Sequence, residues 1–239
     1  MQSLYRIQLY WHGRDEGLEA IANRLSQLIA NVGAGYRELQ GWSYLDKEGT
    51  ARPLTGRSES QSALECRAVD WEVAARKLRS YQPLLRLDGS PSDEIELAAG
   101  IPRLEPAGAF MPNRLRWQLT QHDAYGHVDG MRFLFNTAIA AFEADFGYVG
   151  TPTTPTEVLP LFSTGVPPVG WMTYLSRAYG PLPPLPKGAL EHPLAGGSVV
   201  VAMPELFDDY DDEHRSRLEA LRRTLADAGV LESSAQVAG

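Results

Sequence analysis

The stretch from Gly196 to His214, GGSVVVAMPELFDDYDDEH, constrains this chain more than any other. It opens on a Gly-Gly-Ser turn and passes through Val199, Val200, Val201, Ala202 and Met203, an apolar run of the length of one buried strand. Beyond Pro204 come Glu205, Asp208, Asp209, Asp211, Asp212 and Glu213, with Leu206, Phe207 and Tyr210 set among them. An amphipathic helix follows over Arg215 to Ala228, with Leu218, Leu221, Leu225 and Ala228 on one stripe and Gly229 at its end. Carboxylates near a helix N-terminus are favoured by the macrodipole, by about 0.3–1 kcal/mol each, which accounts for some of these acids. Phe207 and Tyr210 among them are the anchors that a protein interface uses. The segment reads as fold element and as binding face alike.

The other end of the chain is as regular. Leu4 to Trp11 alternates, placing Tyr5, Ile7, Leu9 and Trp11 on one face of a strand that Gly13 ends. Asp15 is placed to cap a helix carrying Leu18, Ile21, Leu25, Leu28, Ile29 and Val32, closed by Gly33 and Gly35. Trp42 to Leu45 predicts a short strand and Lys47 to Thr50 a turn. Residues 56–69 are polar and weakly patterned, and Asp70 is expected to cap a short helix through Trp71, Val73, Ala74, Leu78 and Tyr81. From about 88 to 112 the composition turns to Gly, Pro and Ser, which predicts an irregular segment with one short strand at Glu94–Ala98. Arg114 to Thr120 alternates as a strand. Ala124 to Gly130 reads as a hairpin-type connection, Met131 to Phe135 as a strand or helix start, and Asn136 to Asp145 as a helix ended by Gly147. Thr151 to Pro168 is expected to be irregular, and Trp171 to Leu175 to be a strand or short buried helix. Pro181–Pro186 predicts a stiff extended spacer, whose proline spacing also suits proline-reading domains. Strands and helices intermix without regular βαβ alternation. The expected class is therefore α+β: a single domain over 1–239 with a mixed or antiparallel sheet and packed helices at both ends.

Side chains that carry chemistry are sparse. A net charge of −8 argues against nucleic acid as a direct ligand and suits a basic partner. The single cysteine, Cys66, excludes an internal disulfide and a Cys-rich zinc site. His122, Asp123 and His127 are candidates for a metal-dependent hydrolase, but the gap between the histidines fits neither a helical pair nor alternate strand positions. No nucleophile elbow and no phosphate loop is present: the glycines of NVGAGY follow a helix rather than open one. No catalytic residue, metal or cofactor is assigned on these grounds. The N-terminal residues show no basic segment followed by an apolar core, and no apolar run reaches the ~20 residues that cross a bilayer, so a cytoplasmic location is expected.

Four pieces of sequence carry a resemblance. Tyr10-Trp11 is followed by Arg14 and Glu16. An Ala-x-Arg-Leu unit stands as Ala22, Arg24 and Leu25. The run Gly170-Trp171-Met172-Thr173-Tyr174-Leu175 fits Gly-Trp-x-x-Tyr-Leu, and Gly196-Gly197 leads a Val-rich strand into Pro204–Phe207 and the last helix. In these the chain resembles immunity protein 52, a group of bacterial antitoxins from polymorphic-toxin and type VI secretion systems. The pieces span nearly the whole chain and thin out between residues 46 and 135. The resemblance implies a non-enzymatic inhibitor that binds a cognate secreted toxin, with a restriction-endonuclease-like nuclease as the expected partner. A nuclease carries a basic cleft, which an acidic inhibitor complements. The expected contact residues are Asp208, Asp209, Tyr210, Asp211, Asp212 and Glu213, whereas the motif residues themselves are mostly apolar and are expected to hold the fold.

Overall fold

In the computed structural model, residues 4–14, 16–73, 76–100, 113–120, 122–151 and 168–231 are described, with the backbone alone for 71–73, 76–78 and 91. Ten strands form one sheet. In chain order the strands are β1 (Leu4–Trp11), β2 (Trp42–Leu45), β3 (Ala51–Pro53), β4 (Ala68–Val73), β5 (Arg76–Tyr81), β6 (Leu84–Leu87), β7 (Ser90–Ala98), β8 (Asn113–Thr120), β9 (Phe146–Gly150), β10 (Met172–Ser176), β11 (Leu190–Leu194) and β12 (Gly197–Val201). The helices are α1 (Leu18–Gly35), α2 (Arg57–Cys66), α3 (Val128–Phe142) and α4 (Asp212–Asp227). The sheet order is β11-β12-β10-β9-β1-β8-β7-β6-β2-β3, and β4 and β5 form a separate hairpin. Every described pairing is antiparallel, so the α+β expectation holds with an antiparallel sheet.

Strand β1 lies at the centre, paired with β8 on one side and β9 on the other. Its alternation sets the two faces. Ile7 lies opposite Trp117 and Leu9 opposite Leu115, all fully buried, and this face takes the helices. The Trp11 ring stacks on Phe142 of α3 with centroids 4.9 Å apart. A Cβ at Gly147 would meet both Leu9 and Phe135, which measures how closely α3 lies on the sheet. The other face bears Gln8, Tyr10 and Tyr148, with the Tyr10 hydroxyl donating to Gln8 Oε1 at 2.5 Å. Because both faces of β1 are covered, Gln8 and Tyr10 are buried along with Ile7 and Leu9, a pattern that alternation alone does not announce.

The middle of the chain departs from expectation in three places. Arg57–Cys66 is a helix, α2, packed on α1; of its buried residues Ser60, Ala63 and Leu64 only Leu64 is a large apolar group, which leaves no apolar stripe to read. The helix expected after Asp70 is instead the β4–β5 hairpin. There Val69, Trp71 and Val73 recur at the strand period of two, and Asp70 lies opposite Arg79 and accepts bonds of 2.7 and 3.0 Å from it rather than capping a helix. Within the segment expected to be irregular at about 88–112, the strand expected at Glu94–Ala98 is present but starts earlier, so that Ser90–Ala98 form the nine-residue strand β7. Gly89, at φ +80°, turns β6 back into β7, and Ile95 and Leu97 are buried at alternate positions. The remainder of that segment, 101–112, lies outside the described residues, as do most of Thr151–Pro168 and the proposed cap Asp15; α1 starts after Gly17. Met131 to Phe135 belongs to α3, and Gly147 sits inside β9 rather than ending a helix.

The carboxyl-terminal expectations agree with the structure. Val199, Val200 and Val201 lie in β12 and are buried, and α4 buries Leu221 and Leu225. Trp171 is fully buried, donates its indole N–H to the Met203 carbonyl at 3.2 Å and lies 5.9 Å from the Tyr5 ring. Gly170 comes so close to β9 that a Cβ there would meet the Val149 carbonyl oxygen at 2.3 Å. Both edge strands are short and carry a proline: Pro53 ends β3, and Pro193 pairs with Ser198 in β11. Gly170→Ala is expected to lower the unfolding free energy by roughly 1–3 kcal/mol, because the added methyl meets backbone and not a side chain that can turn away. Urea unfolding should show a lower midpoint with an unchanged slope.

Candidate functional site

The acidic segment starts where Phe207 leaves the core. The Phe207 carbonyl accepts the Tyr5 hydroxyl at 3.2 Å, and burial followed by the nearby charges of Asp208 and Asp209 pushes that hydroxyl up to about 12. Asp208 Oδ1 accepts the Tyr210 N–H at 2.9 Å, folding the chain into a turn. Asp211 is the N-cap of α4, its Oδ1 accepting the N–H groups of Glu213 at 2.8 Å and His214 at 3.2 Å. Those two backbone donors hold its carboxyl below the usual range. Asp212 pairs with Arg215, and Glu213 with Arg217, along the first turn of α4. The six expected contact residues thus divide. Asp211 caps the helix, and Asp212 and Glu213 pair within its first turn while staying exposed; of the other three, Asp208 and Tyr210 are exposed, Tyr210 at 86%, and Asp209 is half-buried.

The candidates for metal chemistry are engaged elsewhere. His127 caps α3, its Nδ1 accepting the Gly130 N–H at 3.0 Å, and its Nε2 lies 3.1 Å from the Ala124 carbonyl. His122 accepts the Ala124 N–H through Nδ1 at 3.1 Å and stacks on Tyr125 at 5.3 Å. Both rings therefore build the turn into α3, and no group of three metal-ligating side chains occurs among the described residues. Pro181–Pro186 is extended, and Leu182 and Leu185 tie it to the core. No described helix is long and apolar enough to cross a membrane.

The polar residues of the amino-terminal motif prove to be a helix-end device. Glu143 ends α3 in the left-handed conformation, φ +45°. Arg14 donates to the Phe142 and Glu143 carbonyls, and Arg24 donates to the Ala141 carbonyl at 2.9 Å, so two guanidinium groups satisfy the last carbonyls of α3. Both also reach Glu143 Oε2 at 3.1 Å, and Glu16 holds Arg24 at 2.7 Å. Two residues further on, Asp145 Oδ2 accepts from the His12 backbone N–H at 2.8 Å, and its contact with His12 Nδ1 is also 2.8 Å. Burial alone raises the Asp145 pKa, but the bonds from His12 outweigh it and hold the carboxyl below its usual range.

This clasp stands at one end of a groove that periodicity did not point to. The groove has a volume of about 1040 Å3 and lies between the end of α1, the outer side of α3 and the β11–β12 turn. Phe133, Ala34, Ala140 and Leu194 supply apolar wall. Phe133 is 38% exposed, and its ring lies over Gly35, where a Cβ would approach it to 2.5 Å. Asn136 and Ser176 also line the groove, but the Asn136 side-chain oxygen and the Ser176 hydroxyl are themselves buried away from its surface, without a hydrogen-bond partner among the described residues. The only sequence signal was the glycine pair at the end of α1, which reads equally well as helix termination.

Residues 133–234 match the family model described as immunity protein 52, so the resemblance read from the motifs holds over that stretch. The match starts at Phe133 and takes in most of the groove wall, the Gly170–Leu175 run and the acidic segment. Among solved structures, the chain is similar to a Pseudomonas aeruginosa T6SS protein, PA0821, at 15% identity and a TM-score of 0.57, with 98% of this chain and 73% of that chain covered. That likeness concerns the fold. No curated protein matches by sequence.

Asp145 gives this region a defined pH response. A carboxyl whose pKa is lowered in the folded state stabilises above its unfolded value, about 3.9, and loses that contribution as pH falls through the folded one. Asp145→Asn is therefore expected to be less stable than the wild type at neutral pH, with the difference closing below pH ~4. Unfolding midpoints measured from neutral to acid pH check this.

Proposed function

We propose that this chain is an immunity protein: a non-enzymatic inhibitor in the cytoplasm of the producing cell that binds and neutralises a cognate toxin delivered by a type VI secretion system. The observation that carries this reading is the match of residues 133–234 to the immunity protein 52 family. The T6SS protein with the same fold adds support, as does the use of His122 and His127 as local backbone partners. A restriction-endonuclease-like nuclease is the expected toxin, since its basic cleft suits a chain of net charge −8. Asp208 to Glu213 is the proposed contact segment, in which Asp208 and Tyr210 are exposed and Asp209 is half-buried.

Identification of the neighbouring gene, and co-expression with the toxin it is expected to encode, test the reading. Protection of the host and a stoichiometric complex on gel filtration are expected; unprotected cells and separate elution would overturn it. The contact segment is tested separately. Because Asp211 caps α4, reversal at Asp208→Lys and Asp209→Lys keeps that cap and removes only the turn bond from the Tyr210 N–H to Asp208. This variant is expected to associate with the toxin roughly tenfold more slowly at low salt, with a flatter salt dependence. Wild-type kinetics in the variant would remove the segment from the interface.

A further inference from the structure

We infer that the sheet face bearing Gln8 and Tyr10 holds a docking site for an acidic segment of a partner protein, whose carboxylates meet Arg6 on β1 and Arg114 and Arg116 on β8. That the occupant is a protein rests on the reading of the chain as a binding protein; the choice of carboxylate does not. The register brings the three arginines together. Gln8 lies opposite Arg116, so Arg6 and Tyr10, to either side of Gln8 on the same face, lie opposite Gln118 and Arg114. Arg6 is thus the diagonal neighbour of Arg116, at the ~7–8 Å that long side chains span, and Arg114 stands on the same face. The half-buried Arg114, Arg116 and Gln118 alternate along β8 with the fully buried Leu115, Trp117 and Leu119, so this face is open there. The Arg116 side chain is 34% exposed even while paired with an acid.

Charge on this face is out of balance. Among the described residues the acid paired with these arginines is Glu96, 3.1 Å from Arg116, and Arg6 and Arg114 have no ion pair. Glu94, the next acid on the same face of β7, lies opposite Gln118 and Arg86, so the width of β8 separates it from Arg6. Burial and then the Arg116 charge lower the Arg6 pKa, so two cations stand close with too little anion between them. Tyr10 and Tyr148 add none, because burial raises both of their pKa values and keeps the hydroxyls protonated. Arg6 Nε is itself buried without a partner, so the terminal nitrogens of that guanidinium are the donors left for a ligand. A guanidinium presents paired donors that match the two oxygens of a carboxylate. A net charge of −8 disfavours an extended polyanion such as nucleic acid, whereas a short acidic loop meets mainly the local excess of cations.

The test uses the full chain and a capped tetraglutamate peptide. In NMR titrations the peptide is expected to shift the Arg114, Arg116 and Gln118 amide signals. Tetraglutamine at the same concentration is expected to leave them in place, and inorganic phosphate to shift them several-fold less. Arg6→Gln combined with Arg114→Gln should abolish the peptide response and leave the unfolding midpoint unchanged or higher, because a like-charge contact is removed. Arginines that serve only the fold would instead lower the midpoint and leave the response intact. That outcome, no shifts with tetraglutamate, or equal shifts with tetraglutamine or phosphate would overturn the proposal. With a toxin shown to bind the chain, Arg6→Glu combined with Arg114→Glu is expected to weaken binding roughly tenfold or more, and unchanged affinity would remove this face from the interface. If the wild-type chain binds no toxin, the immunity reading fails on its own, and the peptide titration still decides whether the face selects a carboxylate.

Discussion

Helix α3 ends at Glu143 with its last carbonyls directed at two arginines from the start of the chain, a clasp that adds to the β1–β8 and β1–β9 pairings in holding the two halves of the molecule together. Arg14 follows β1 and Arg24 lies in α1, so the contact joins the central strand, the first helix and the third. It acts where the helix dipole leaves negative charge and where the left-handed turn at Glu143 sends the chain into β9. His12 then holds Asp145 immediately beyond. A guanidinium group suits this task because its planar donors serve several carbonyl and carboxylate oxygens at once; lysine, with a single charged nitrogen, does not reproduce it.

The ends of the chain were far more legible than its middle, and the reason is physical. Tyr5, Ile7, Leu9 and Trp11 have one face to bury, and so do Leu218, Leu221 and Leu225, and each set repeats at the period of its element. Helix α2 buries Ser60, Ala63 and Leu64, and a single large apolar residue gives no helical period to read. The β4–β5 hairpin resembles a helix in sequence because Trp71, Val73, Leu78 and Tyr81 can be threaded onto one if the alternation from Val69 is passed over. Gly89 and Pro91 suggested a loop, whereas one of them makes the turn and the other stands at the start of a strand.

Legibility of the candidate surfaces followed the same logic. The acidic run was visible as composition, but its division into capping residues and an exposed crest needed the backbone, since Asp211 and Asp208 differ only in which N–H groups they meet. The groove was not visible because its residues come from α1, α3, β10 and the β11–β12 turn, and because small residues make it by leaving space. Gly35 contributes by what it lacks: the Phe133 ring occupies the position a methyl group would take.

The prolines at the two rims of the sheet have a consequence for how this molecule can evolve. A partner that adds a strand to an exposed edge draws its affinity from main-chain hydrogen bonds, which are nearly indifferent to sequence. Pro53 and Pro193 withhold donors at short outer strands, so neither rim offers a long ladder to copy. Recognition is left to side chains, and side chains change one codon at a time while the scaffold beneath them stays put. A lineage built this way can follow a changing adversary by substitutions at a few outward positions, without rebuilding the sheet that displays them.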